Sequence, residues 1–217
     1  MMLISRENIL GLVLAGGSSQ RMQSIAITSN GTGPVDKCLL DWQGQPLIYH
    51  IIKRAEPQVD RLIISSNSSD VRFSKLGKTV LADDTDCKQL GPLSGILRAL
   101  RWIKQEKQSY QWLATFPADT PLLPSDLISR LVASLENHTN RDNLRIISLQ
   151  NRSRKQPLFS LWSLDCLPAL EIFLANGGRK VMQFIEEQPH HYEEVNEKEY
   201  ALNNINTPED WQKLSTD

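Results

Sequence analysis

Apolar residues in this chain fall into short runs separated by polar segments, and runs with strand character alternate with runs of helical spacing. ILGLVLA (9–15) is continuous and β-friendly, the pattern of a parallel strand buried on both faces. CLLDW (38–42) reads as a short strand ended by the turn-like QGQP, and a helix is expected from Pro46 through LIYHIIKRAEP, with the proline in its first turn. RLIISSN (61–67) and KTVLADD (78–84) are two further short strands, the second ending in carboxylates. GPLSG (91–95) opens a helix whose apolar positions Leu93, Ile96, Leu97, Leu100 and Ile103 share one face. QWLATFPADTP (111–121) predicts a buried strand that stops at Asp119, and SDLISRLVASL (125–135) a helix with Ser125 as N-cap. RIISLQ (145–150) and PLFSLWS (157–163) predict two strands around the basic turn RSRK (152–155). LPALEIFLANGG (167–178) predicts a helix closed by Gly177. Helix-like residues follow at 179–187, and a last helix starts at NTPEDW (206–211). The alternation indicates a mostly parallel, three-layer α/β sheet. No repeat, low-complexity tract or linker interrupts it, so a single domain over 1–217 is expected.

Composition narrows the class. With 217 residues, 40% of them hydrophobic and 23% charged, the chain can bury one substantial core. A net charge of −1 argues against broad nucleic-acid or anionic-membrane binding, though not against a local basic pocket for a small polyanion. Cys38, Cys87 and Cys166 are scattered and odd in number, which suits buried thiols in a reducing compartment better than a disulfide frame or zinc site. The apolar run near the N-terminus is too short to span a bilayer and has no cleavage-site context, so a cytoplasmic location is expected.

In open α/β sheets ligands bind beyond the carboxyl ends of the strands. Gly16 and Gly17 follow the first strand, Asn67 the second, Asp83 and Asp84 the third, and Asp119 the fourth. Each alone is an ordinary loop residue, but as a set they define one rim. GGSSQRM (16–22) matches neither GxGxxG nor a P-loop, yet it offers unhindered backbone N–H groups and the guanidinium of Arg21 to phosphate oxygens. Asp36-Lys37 in isolation reads as a surface pair. Asp119, fixed between prolines in PADTP, suits Mg²⁺, which takes one or two carboxylates plus substrate phosphates. An Asx-type turn is the competing reading. His190-His191 does not read as a metal pair, because adjacent strand residues face opposite ways. The RSRK turn could attract an anionic phosphate, although a solvated turn is the simpler reading.

LAGGSSQRM, the DK pair, VLADD with GPLSG, FPADTPLLP, QPLFSLW and NNINTPEDW occur in that order. Together they resemble the molybdenum cofactor guanylyltransferases, the MobA family of nucleotidyltransferases, from about residue 9 to residue 213. The resemblance implies a three-layer Rossmann-like nucleotidyltransferase fold, with nucleotide binding over about 9–120 and acceptor binding over about 121–217. It implies transfer of GMP from GTP to the terminal phosphate of molybdopterin, with release of pyrophosphate and Mg²⁺ as cofactor. By position, Leu14, Ala15, Gly16 and Gly17 would line the nucleotide, and Lys37 and Arg21 would meet its phosphates. Asn67 and Asp83 would sit near base and ribose, with Asp84 a stand-in for Asp83. Asp119 would bind nucleotide and metal, and Arg179, Asn204 and Asn206 would handle the acceptor or support the site. Proteins that deliver molybdopterin or chaperone molybdoenzymes are the partners implied, with the enzyme itself a monomer or weak oligomer.

The chain departs from the family pattern after Met22. Family members place Asp-Lys a few residues after Arg-Met, with a glycine following the Met. Here Gln23 takes that place, and the roughly fourfold longer loop adds only about 1 kcal/mol of closure entropy. A cytidylyltransferase or other transferase of the same fold, and a nucleotide- or molybdopterin-binding protein without catalysis, are the alternatives open at this point.

Overall fold

A continuous apolar run makes a stable strand only if both of its faces are covered, and the architecture follows from meeting that condition several times over. The structure, a computed structural model, describes residues 4–16, 36–86, 90–106, 109–152, 154–196, 202–207 and 209–212. Gly17, Arg21, Cys87 and the 23–35 insertion lie outside the described residues.

In chain order the elements are β1 (Ile9–Leu14), β2 (Asp41–Trp42), β3 (Gln45–Pro46), α1 (Leu47–Ala55), β4 (Arg61–Ser65), β5 (Thr79–Leu81), α2 (Pro92–Gln105), β6 (Trp112–Pro117), α3 (Leu127–Asn137), β7 (Ile146–Asn151), β8 (Arg154–Ser163), α4 (Leu167–Ala175), α5 (Val181–Glu186) and β9 (His190–Val195). Seven of the strands form one sheet in the order β5-β4-β1-β6-β8-β7-β9. β8 is antiparallel to both neighbours and every other pairing in that sheet is parallel, so the sheet is mostly parallel as the alternation predicts.

Residues of β1 alternate between two cores. Ile9 and Val13 join the cluster under α1 and α3, whereas Leu10 and Leu12 join the one under α2, α4 and α5. The three layers are therefore α1 and α3, the sheet, and α2, α4 and α5. Each face of the sheet is covered, which is why its central strands tolerate no polar alternation.

The GPLSG segment has a physical explanation in this packing. Gly91 adopts φ 75° at the start of α2, a conformation a side chain disfavours, and Pro92 follows at the first turn. Gly95 lies where α2 crosses the ends of β1 and β4. A Cβ there would stand 2.3 Å from Ser65 Oγ and 3.2 Å from Leu14 Cδ2.

Several expected boundaries shift. The strand expected over 38–42 is a 3₁₀ turn at Lys37–Leu39 followed by β2, which pairs with β3 as a separate hairpin through Gln43 and Gly44, both at positive φ. α1 begins at Leu47, with Pro46 as its N-cap rather than in its first turn. α3 starts at Leu127 with Asp126, not Ser125, at the N-cap, and that carboxylate pairs with Arg130 instead of capping. β5 stops at Leu81, because Ala82–Asp84 turn away to the site. β8 extends back to Arg154, because Asn151 pairs with Arg154 across a tight turn, so half of RSRK is strand. β9, the strand that holds His190 and His191, carries too few apolar residues to read as a buried one. It is an edge strand with one flank open, where polar side chains are tolerated. No helix among the described residues is long and apolar enough to cross a membrane.

Gly95→Ala should lower stability by about 1–3 kcal/mol through overpacking, measured by urea unfolding. Combining it with Ser65→Gly should recover part of the loss, since Ser65 supplies the closest atom.

Candidate active site

The parallel ladder carries one residue past the strand ends. Ala15 N–H donates to the Ser65 carbonyl at 2.9 Å, Ala118 N–H to the Leu14 carbonyl at 3.1 Å, and Ser66 N–H to the Leu81 carbonyl at 3.0 Å. The loops after β1, β4, β5 and β6 therefore leave the sheet at one level. Leu14 and Ala15 form its floor, and Gly16 is exposed, with no atom of the described residues within 4 Å of where a Cβ would lie.

β1 lies between β4 and β6, so the segment returning after it can reach a loop on each side. Asp36 and Lys37 do this from consecutive positions. Asp36 accepts a hydrogen bond from the Ser68 hydroxyl, beyond β4. Lys37 donates to Asp119 Oδ2 at 2.8 Å, beyond β6, and to Asn206 Oδ1 at 2.7 Å. The Lys37 side chain is only 8% exposed and that of Asp119 24%. An ammonium so far removed from water requires a counter-charge and hydrogen-bond acceptors, and these two partners supply them. In this protein the pair is not the surface pair that its sequence suggests in isolation.

On the other side of β1, Asn67 and Asp83 are joined reciprocally. Asn67 Nδ2 donates to Asp83 Oδ2 at 2.7 Å, and Asp83 N–H donates to Asn67 Oδ1 at 2.8 Å. The Ser94 hydroxyl, in GPLSG, lies 2.9 Å from the same carboxylate oxygen. Asp84 points elsewhere: it pairs with Arg98 at 3.1 Å and Arg101 at 2.9 Å on α2. The two adjacent aspartates thus have different jobs, Asp83 facing Asn67 and Asp84 tying the loop to α2. A cavity of ≈ 630 Å³ opens beside them, with Asp83, Arg98 and Arg101 in its wall. A smaller one, ≈ 390 Å³, lies at the amino ends of the strands around Gln111, Trp112 and Ser163, away from this chemistry.

Asp119 Oδ2 is committed to Lys37, and among the described residues nothing donates to Oδ1. No group of three His, Cys, Asp or Glu among the described residues is arranged to hold a metal. One carboxylate oxygen suits a hard divalent cation that takes its other ligands from phosphates and water, and the donor set fits that mode of binding.

The remaining expected residues are less tightly connected. Asn204 is exposed near Asn206 on the C-terminal segment. Arg179 donates to the Leu174 and Gly178 carbonyls at the end of α4. In the basic turn, Lys155 pairs with Glu186 at 2.7 Å and lies over the Tyr192 ring, and Arg152 donates to Asn196. Both cations remain exposed, as a solvated turn predicts, while making these contacts. His190 and His191 are half-buried, with the His191 ring against His138. Sequence reasoning passes over Ser68, Ser94 and Asp210. Ser94 and Asp210 lie in segments already singled out, and the T-x-x-D spacing of Thr207 and Asp210 is a capping-box signal. Nothing in the sequence marks Ser68.

Residues 11–194 match the model of the MobA-like NTP transferase domain. A molybdenum cofactor guanylyltransferase of Mesorhizobium japonicum is 36% identical over 210 residues, covering 94% of this chain and 93% of that protein. Among solved structures, molybdopterin-guanine dinucleotide biosynthesis protein A from Archaeoglobus fulgidus superposes with a TM-score of 0.71 at 19% identity, covering 95% of this chain and 97% of its own. A Mycobacterium tuberculosis protein solved in complex with manganese gives 0.66 at 14% identity, covering 96% and 98%. At these identities the two structures speak for the shared fold alone.

Burial pushes the thiols of Cys38 and Cys166 up to about 12, with Asp36 adding to the effect on Cys38. At pH 8 both therefore stay largely protonated, and the thiolate is the reactive form. In a Cys87→Ser variant, Ellman's reagent at pH 8 should label neither thiol of the folded protein and both after denaturation.

Proposed function

This chain belongs to the MobA-like NTP transferase family, alongside the molybdenum cofactor guanylyltransferases, and from that premise we propose that it transfers GMP from GTP to the terminal phosphate of molybdopterin. The products are the guanine dinucleotide cofactor and pyrophosphate. One observation carries the reading for this chain's own residues: an ammonium, a carboxylate and an amide from Lys37, Asp119 and Asn206 converge at the carboxyl ends of β1 and β6. That is the equipment needed to hold and neutralise a polyphosphate.

The acceptor phosphate is already an anion near neutral pH, so it attacks the α-phosphorus of GTP without a general base. The new P–O bond forms as the bond to the bridging oxygen breaks, and pyrophosphate leaves with the electron pair. The protein's task is to position two anions and to neutralise charge as it develops. Lys37 does this with an ammonium that its burial keeps from being screened by water. Arg21 and the N–H groups of Gly16 and Gly17 act on the phosphates from the loop after β1. Leu14 and Ala15 line the nucleotide, Asn67 and Asp83 take the base and ribose, and Asn204, Asn206 and Arg179 serve the acceptor side. Asp119 would hold a divalent cation, Mg²⁺ in our reading, which when bound supplies positive charge to the α-phosphate and the departing pyrophosphate. A reducing, cytoplasmic setting accords with the free buried thiols of Cys38 and Cys166.

Pyrophosphate release with purified molybdopterin and Mg²⁺ should occur with GTP and not with CTP, ATP or UTP. Turnover with CTP in place of GTP would overturn the base assignment. Lys37→Ala and Asp119→Asn should each lower kcat by at least ~10²-fold. Undiminished turnover in Lys37→Ala would remove that lysine from the reaction.

A further inference from the structure

The C-terminal segment closes on the site through a specific chain of bonds. Ile205 N–H donates to the Asp119 carbonyl at 2.9 Å, and Ile205 is buried with Leu40, Trp42 and Leu47 in a small core that Trp211 also meets. Asn206 places Oδ1 on Lys37 Nζ. The backbone of Asn206 is in turn held by Asp210, whose Oδ2 accepts from the N–H groups of both Asn206 and Thr207 at 2.9 Å. Asp210 N–H donates back to Thr207 Oγ1 at 3.2 Å, completing a capping box where residues 209–212 turn into helix.

We propose that Asp210 is a positioning residue for Lys37, acting through Asn206, so that the start of the terminal helix sets the direction of the ammonium beyond β1. The proposal rests on the reading of Lys37 given above. An ammonium has three N–H donors. Asp119 takes one from the β6 side and Asn206 a second from the C-terminal segment, and these two directions fix the third, which is directed to the phosphate. Asp119 alone leaves the ammonium free to rotate about one contact. Asn206 is an effective second contact only if its backbone is fixed, and its N–H donates to Asp210 Oδ2. The carboxylate at 210 therefore does more than begin a helix: it connects that helix start to the buried cation some 170 residues earlier in the chain.

Two readouts test this, one of them independent of turnover. The first is the ¹⁵N–¹H NMR signal of the Lys37 ammonium, assigned by its absence in Lys37→Met. It should be visible and slowly exchanging in the parent and in Asp210→Asn, which keeps an oxygen acceptor, and lost in Asp210→Ala and Asn206→Ala. Thr207→Val, which weakens the same helix start while leaving the carboxylate in place, should keep it. Asp210→Ser, too short to reach the Asn206 N–H, gives the same readout if Asp210→Ala does not fold. The second is kcat for pyrophosphate release. Asp210→Ala and Asn206→Ala should each lower it by about tenfold, and the double variant by no more than Asn206→Ala alone. Asp210→Asn and Thr207→Val should stay within about twofold of the parent. An unchanged ammonium signal in Asp210→Ala, or additive losses in the double variant, would overturn the proposal. Loss of the signal in Asp210→Ala from a protein that transfers no GMP would leave the positioning role standing and overturn the guanylyltransferase reading instead.

Discussion

The site depends on one buried cation. Removing the Lys37 ammonium from water is affordable only with a carboxylate and a further acceptor in place, and among the described residues both come from far away in sequence. Asp119 arrives at the end of β6, and Asn206 arrives on the C-terminal segment. The chain therefore has to return to this point twice after first leaving it. The ammonium of Lys37 holds three remote segments together, so the structural demand on this residue is set by contacts far from it in sequence.

Sheet order makes that convergence possible. With β1 flanked by β4 and β6, a short Asp-Lys segment above β1 reaches Ser68 on one side and Asp119 on the other. The close seat of α2, permitted at Gly95, brings Ser94 onto Asp83, and Arg98 and Arg101 anchor Asp84. The rim is thus stiffened from the α2 side by ion pairs and from the C-terminal side by the capping box. Between them lies the side of Gly16 that no atom of the described residues fills.

Much of the fold is legible in the sequence because burial on both faces leaves so strong a mark. ILGLVLA, RLIIS and WLATF can be little else than inner strands, and their parallel pairing follows from the helices between them. What fails to show is structure without that mark. β9, HHYEEV, is polar because an edge strand can be. The start of β8 is basic because it is a hairpin arm, and the 3₁₀ turn at Lys37–Leu39 has the apolar look of a strand. Of the site, Asp83 and Asp84 are indistinguishable as neighbouring carboxylates. Only their partners separate them, Asn67 for one and arginines three positions apart on a helix for the other.

By itself the sequence determined the layered α/β class, the rim of strand ends where the candidate site residues gather and the family resemblance. These are local periodicities and short motifs, readable without knowing which segments meet. Tertiary structure alone decided that Lys37 is buried rather than a surface pair, that Asp83 and not Asp84 faces Asn67, and that the terminal helix start is joined to the cation. Each of those depends on which segments meet in space, and for Lys37 the free energy of pairing a desolvated charge, not any local preference, selects the partner.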